Sequence, residues 1–136
     1  MPTNKRRTGD VSGLQVLLVE DEHLVALLLE DMLAELGHIV VGPVARLSKA
    51  MEMAQREALD IAILDVNING QDTYSVAEAL AERGIPFVFA TGYDRKRLRA
   101  PYCKAPVLQK PFLQRDLQKA LAEACRRAAH ASTSSA

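Results

Sequence analysis

The sequence predicts an α/β domain in which a parallel β-sheet is covered by helices on both faces. Three observations predict it. Short apolar runs alternate with longer stretches of helical periodicity from one end of the chain to the other. Glycines stand just past two of the helical stretches, at Gly37 and Gly84. No internal repeat is present. A strand buried on both faces reads as a continuous apolar run, and such strands alternating with helices build a parallel sheet. Right-handed crossovers then leave few topologies.

The first strand is Leu14 to Val19, apolar except for Gln15. A helix follows from Glu22 to Leu36, where Val25, Leu28, Leu29, Met32 and Leu36 recur at helical spacing. Gly37 closes it. "HIVVG" is a short second strand. Ser48 is placed to cap a helix with an apolar stripe of Met51, Ala54 and Ala58. "IAIL", Ile61 to Leu64, is the third strand, and "VNINGQD" after it is expected as a loop with Gly70 as its flexible point. A helix spans Asp72 to Arg83, ended by Gly84 and Pro86. "FVFA" is the fourth strand and "VLQ", Val107 to Gln109, the fifth. The last helix carries Leu117, Leu121, Ala124 and Ala128 on one face. Between Thr91 and Val107 the rhythm breaks. "GYDRKRLRAPYCKAP" has little apolar periodicity, and Pro101 stops any helix begun near Asp94. A shortened or irregular fourth helix is expected there.

The 136 residues suit one domain. Residues 1–13 are expected as a flexible segment, 14–129 as the folded domain and 130–136 as a disordered tail. Seventeen basic and seventeen acidic side chains cancel, so the composition makes no case for nucleic-acid binding. Cys103 and Cys125 have no metal-like spacing and read as free thiols of a reducing cytoplasm. The basic start lacks an apolar stretch behind it, and "LVALLL" is interrupted by Glu30 and Asp31, so neither a signal peptide nor a membrane span is expected.

The strand ends carry the chemistry. In a parallel sheet the C-terminal ends of the strands share one edge, and ligands bind in the crevice there. Glu20 and Asp21 follow the first strand, Asp65 the third, Thr91 and Gly92 the fourth, Lys110 and Pro111 the fifth. With strands one, three and four as neighbours, three carboxylates, a hydroxyl and an ammonium converge. Carboxylates crowded together repel one another. A hard divalent cation relieves the repulsion, and Mg²⁺ is commonly held by one or two carboxylates together with phosphate oxygens. Glu22 needs no such role, since an acid at a helix N-terminus is favoured by about 0.3–1 kcal/mol. Asp65 differs, because no helix follows it immediately. A carboxylate beside Mg²⁺ can attack phosphorus and become an aspartyl phosphate. Lys110 would neutralise one side of the transferred group and Thr91 would bond one of its oxygens.

At these residues the sequence resembles the receiver domain of two-component response regulators. "VLLVEDE", "ILDVNI", "FATGY" and "QKPF" carry the resemblance in order and spacing, over roughly Leu14 to Arg127. "PFVFATGY" resembles the signature of the "FAT GUY" subgroup of single-domain receivers. The resemblance implies a five-stranded, doubly wound, flavodoxin-like sheet in the order 2-1-3-4-5. It implies Asp65 as phosphoacceptor, Asp21 as a direct Mg²⁺ ligand, Glu20 as a ligand through water and the Asn67 backbone carbonyl as the third protein ligand. Thr91 becomes the switch hydroxyl, Lys110 the phosphate-contacting lysine, and the Lys110–Pro111 peptide is expected to be cis. The implied partners are a sensor histidine kinase or a histidine phosphotransfer protein, with an unidentified protein downstream or a role as a phosphate sink, since only a short tail follows the last helix.

Two departures stand out. Most receivers carry Tyr or Phe three residues before the lysine, where this chain has Val107. The segment from Asp94 to Ala105 is short and basic, and Arg95, Lys96, Arg97 and Arg99 read as a solvated face. Two other readings compete with the signalling one. A phosphohydrolase of the haloacid dehalogenase type also phosphorylates an aspartate after a strand, but needs a carboxylate two residues on, where Asn67 stands. A receiver-like interaction domain that is never phosphorylated is disfavoured by the intact set of acids, Thr91 and Lys110.

Overall fold

The structure, a computed structural model, describes residues 12–92, 98–102 and 105–134. Along the chain run β1 (Gln15–Val19), α1 (His23–Glu35), β2 (Ile39–Val44), α2 (Leu47–Arg56) and β3 (Ile61–Asp65). These are followed by β4 (Asn67–Ile68), β5 (Gln71–Asp72), α3 (Tyr74–Glu82), β6 (Phe87–Thr91), β7 (Val107–Gln109) and α4 (Gln114–Ser134). The main sheet has the order β2-β1-β3-β6-β7, and every pair in it is parallel. With the strands of the main sheet counted alone, this is the expected 2-1-3-4-5 arrangement.

Side chains alternate across the sheet and define two cores. Val16, Leu18, Ile61, Ile63, Val88, Ala90 and Leu108 face one way, under Leu29 and Leu33 of α1 and Leu117, Leu121 and Ala124 of α4. Leu17, Val19, Ala62, Leu64 and Phe89 face the other, under Ala50 and Ala54 of α2 and Val76, Ala77 and Leu80 of α3. Each Val, Leu, Ile or Phe among them contributes roughly 1.5–3 kcal/mol when fully buried. Because both faces are covered, the strands can be apolar throughout, which is why they are legible as continuous runs.

Several local expectations are corrected. On α1 the expected face does turn inward, with Leu29 buried and Val25, Met32 and Leu36 half-buried against the core, but Leu28 is 46% exposed and Ala26 and Leu33 are buried in its stead. "HLVALLLEDMLAE" is apolar on most of its circumference, and periodicity alone does not fix the edge of the face that packs. Ser48 does not cap α2: the helix begins at Leu47, Arg46 is its N-cap, and no side-chain capping bond forms. The stretch after β3 is a tight antiparallel hairpin, β4 against β5, with Asn67 opposite Asp72 and Ile68 opposite Gln71. Its turn is Asn69-Gly70, with φ of 51° and 82°. Asn-Gly is the preferred pair where both turn residues need positive φ. Residues 130–134, expected in a disordered tail, continue α4, since extending a packed helix adds a bond for each residue fixed.

Between β6 and β7, residues 93–97 and 103–104 lie outside the described residues, and so do most of the expected fourth helix and Arg95, Lys96 and Arg97 of the basic cluster. Residues 98–102 form bends and turns that end with Tyr102 N–H donating to Arg99 O at 2.7 Å. Leu98, Tyr102 and Ala105 pack onto the Phe89 side of the sheet, beside the half-buried Val107. Cys125 is half-buried, and Cys103 lies outside the described residues. No helix of the described residues is long and apolar enough to cross a membrane.

Gly42 is the tightest glycine of the sheet. It sits at φ +109°, and a Cβ there would meet Leu18 O and Val44 N at 3.0 Å. Backbone on both sides cannot yield as a flexible side chain would. Gly42→Ala is therefore expected to lower stability by about 1–3 kcal/mol, read as a lower urea midpoint with an unchanged slope.

Candidate functional site

The register of the sheet brings the site together. Val19 pairs with Leu64, and Asp65 pairs with Ala90. The residues just beyond β1, at the end of β3, at the end of β6 and just beyond β7 therefore meet at one edge. Glu20 is held there by its own N–H, which donates to Val44 O at 2.9 Å. Lys110 is held by its N–H, which donates to Thr91 O at 3.0 Å. The Lys110–Pro111 peptide is cis, as expected.

The acids and the lysine do converge. Carboxylate oxygens of Glu20, Asp21 and Asp65 lie within 4.8 Å of one another. Lys110 Nζ donates to Glu20 Oε1 at 3.1 Å and to Asp65 Oδ2 at 3.3 Å. It also lies 3.7 Å from Glu22 Oε1, but that side chain is mostly exposed, and such pairs contribute little. Thr91 is buried at the end of β6, one residue beyond the strand partner of Asp65.

Burial dominates the electrostatics. Glu20 is only 2% exposed, and the loss of water pushes its carboxyl up to about 7. The negative charge of Asp65 adds to the rise, while the Glu22 N–H, donating to Glu20 Oε2 at 3.0 Å, and the Lys110 ammonium oppose it. Burial pulls Lys110 down, but the charges of Asp65 and Glu20 outweigh it and leave the ammonium above its ordinary value. The lysine is therefore a fixed positive charge at neutral pH.

Backbone and second-rank side chains fix the acids. Asn67 N–H donates to Asp65 Oδ1 at 3.3 Å, and Asn69 N–H donates to Asp21 Oδ2 at 2.9 Å. The Asn69 bond ties the hairpin to the acid after β1. Thr73 is fully buried, and its Oγ1 donates to the Asp65 carbonyl at 2.6 Å. Sequence reasoning missed Thr73 and Asn69. The Asn-Gly pair could have revealed the hairpin. Thr73 precedes α3, where a hydroxyl ordinarily caps the helix, yet it makes no capping bond there and turns toward β3 instead.

Three oxygen-rich acids, a fixed cation and a buried hydroxyl at the carboxyl edge of a five-stranded parallel sheet define a class of signalling domain. This chain belongs to the response regulator receiver domain family, which it matches over residues 16–122. Receiver domains are the signal-transducing modules of bacterial two-component systems. Among solved structures, SdrG of Sphingomonas melonis Fr1 is similar at 46% identity and a TM-score of 0.74, covering 81% of this chain and 94% of that one. The BeF3-activated conformation of SdrG from Pseudomonas melonis Fr1 aligns at 46% identity and a TM-score of 0.71, covering 85% of this chain and 99% of that one. Among curated proteins, the transcriptional regulatory protein PdtaR of Mycobacterium tuberculosis is 34% identical over 111 residues, covering 79% of this chain. The chain spans about half the length of that relative, 54%.

Proposed function

We propose that the chain accepts a phosphoryl group on Asp65 from the phosphohistidine of a sensor histidine kinase or a histidine phosphotransfer protein. An Asp65 carboxylate oxygen forms the new bond to phosphorus as the phosphorus–nitrogen bond breaks. The electron pair returns to the imidazole nitrogen, which takes up a proton. The product is an acyl phosphate and a free histidine on the donor.

The observation that carries this reading is the bridging of Glu20 and Asp65 by Lys110 Nζ, at 3.1 and 3.3 Å, inside a cluster of three acids. Phosphoryl transfer needs chiefly positioning and charge neutralisation. Lys110 supplies a charge already held beside the Asp65 carboxylate, where it meets a phosphoryl oxygen with little movement. Thr91 supplies a hydroxyl for a second oxygen. Thr73 and the Asn67 N–H hold Asp65 in place. The donor set, hard oxygens on three acids, fits Mg²⁺, with Asp21 and Asp65 as direct ligands, Glu20 acting through water and the Asn67 carbonyl completing the protein's share. Bound there, Mg²⁺ supplies charge neutralisation for the phosphoryl oxygens. The similar protein SdrG takes a BeF3-activated conformation, and fluoroberyllate on a carboxylate mimics a phosphoryl group. The phosphorylated chain then acts in the cytoplasm on a partner protein, or drains phosphate from its kinase.

Incubation with Mg²⁺ and a small phosphodonor, followed by intact-mass measurement, tests this. One phosphoryl adduct is expected on the native chain and none on Asp65→Asn. Steady hydrolysis of phosphomonoesters would instead indicate a phosphohydrolase, and no adduct at all would indicate a domain that works unphosphorylated.

A further inference from the structure

Three consecutive residues, Asp72, Thr73 and Tyr74, reach in two directions. Toward the acid site, Thr73 Oγ1 bonds the Asp65 carbonyl, while the same hairpin sends Asn69 N–H to Asp21. Away from it, Asp72 Oδ2 lies 3.6 Å from Arg99 Nη2, and the Arg99 guanidinium sits 4.4 Å over the Tyr74 ring. Arg99 N–H donates to the Tyr74 hydroxyl at 3.1 Å. The Tyr74 and Tyr102 rings stack with centroids 5.5 Å apart and planes 7° from parallel. Tyr102 in turn meets Phe87 and Phe89 edge-on at 5.8 and 5.7 Å. Val107, opposite Phe89 on the neighbouring strand, is too small to cover these rings, and Tyr102 covers them from the connection instead.

We propose that the Tyr74–Tyr102 stack couples the acid site to the β6–β7 connection, so that loading Asp65 changes how residues 98–102 are held. The inference rests on the phosphoacceptor reading of Asp65. The Arg99–Asp72 pair is exposed and contributes little by itself. Packed aromatic pairs contribute beyond the area they bury, so the rings carry the coupling. Asp65 has a rigid path to them: a buried hydroxyl bond to Thr73, then one peptide unit to Tyr74.

The Arg99 amide reports on the clamp, because its acceptor is the Tyr74 hydroxyl. Its hydrogen exchange is measured with Mg²⁺ alone and with Mg²⁺ and beryllium trifluoride, and loading of each sample is verified by fluorine NMR. In the native chain the rate is expected to change about fivefold or more on loading, the size of ordinary site-to-site coupling. In Tyr102→Leu the change is expected to fall below about twofold, while Tyr102→Phe retains it. The Tyr102 ring signals of the native chain are expected to shift on loading, a readout that needs no variant. Full loading with unmoved ring signals, or with an undiminished Arg99 response in Tyr102→Leu, overturns the coupling and leaves the phosphoacceptor reading standing. A native chain that does not load overturns both.

Discussion

Lys110→Ala is expected to slow phosphorylation of Asp65 by about 100- to 1,000-fold, the usual consequence of removing one preorganised donor from a developing anion. In the structure the Lys110 ammonium already touches the Asp65 carboxylate at 3.3 Å, and the acids around it keep it protonated. It therefore moves little to meet the transferred group. The same variant is expected to bind Mg²⁺ as well as the native chain does, or somewhat better, because a positive charge beside the acids has been removed. Rates of adduct formation at saturating Mg²⁺, with Mg²⁺ titrations on both proteins, separate the two effects. A loss of Mg²⁺ affinity in Lys110→Ala would contradict the role assigned to the lysine.

The second large effect is set by Glu20. Buried away from water and facing Asp65, its carboxyl holds a proton up to about pH 7 in the metal-free protein. Mg²⁺ must displace that proton. Its apparent affinity is expected to rise with pH and level off above about 7, and at pH 5 to lie about 100-fold lower, for one proton competing with one ion. Stability shows the opposite sign. The folded state holds the Glu20 proton more tightly than the unfolded state does. The metal-free protein is therefore expected to be favoured by this group at acid pH and to lose that stabilisation as pH rises through about 7. The shift from 4.5 to about 7 bounds the loss at about 3 kcal/mol. Saturating Mg²⁺ should restore it, and Glu20→Gln should flatten both profiles. Urea midpoints from pH 5 to 8, with and without Mg²⁺, check this.

The parts of the site that follow from backbone direction were legible in the sequence. Glu20, Asp21, Asp65, Thr91 and Lys110 each stand at or just after a strand, and parallel strands with helical crossovers leave those ends no choice but to meet. The apolar strands were legible for the same reason, being buried on both faces. Details decided by side-chain competition were less so. On α1 the stripe of Val25, Leu29, Met32 and Leu36 faces the core as its spacing says, but with leucines also at 28 and 33 the edge of that face waited on packing, which buries Leu33 and leaves Leu28 exposed. Thr73 could have capped α3, and nothing local showed that it would bond the Asp65 carbonyl instead. Asn69-Gly70 is a turn pair by its residue types, and the short strands on either side of it are too polar to show as strands. Arg99 is exposed, as expected of a solvated face, but its place over Tyr74 depends on Asp72 and the rings, which come from a segment distant in sequence.

The most direct measurement locates the phosphoryl group itself. The protein is incubated with Mg²⁺ and a small phosphodonor, the acyl phosphate is reduced with borohydride, and the peptides are mapped. Conversion of residue 65 to homoserine, with Glu20, Asp21 and Asp72 unaltered, is the predicted result. Reduction at any of those other acids, or at none, would contradict the assignment of Asp65 as the residue around which this edge of the sheet is built.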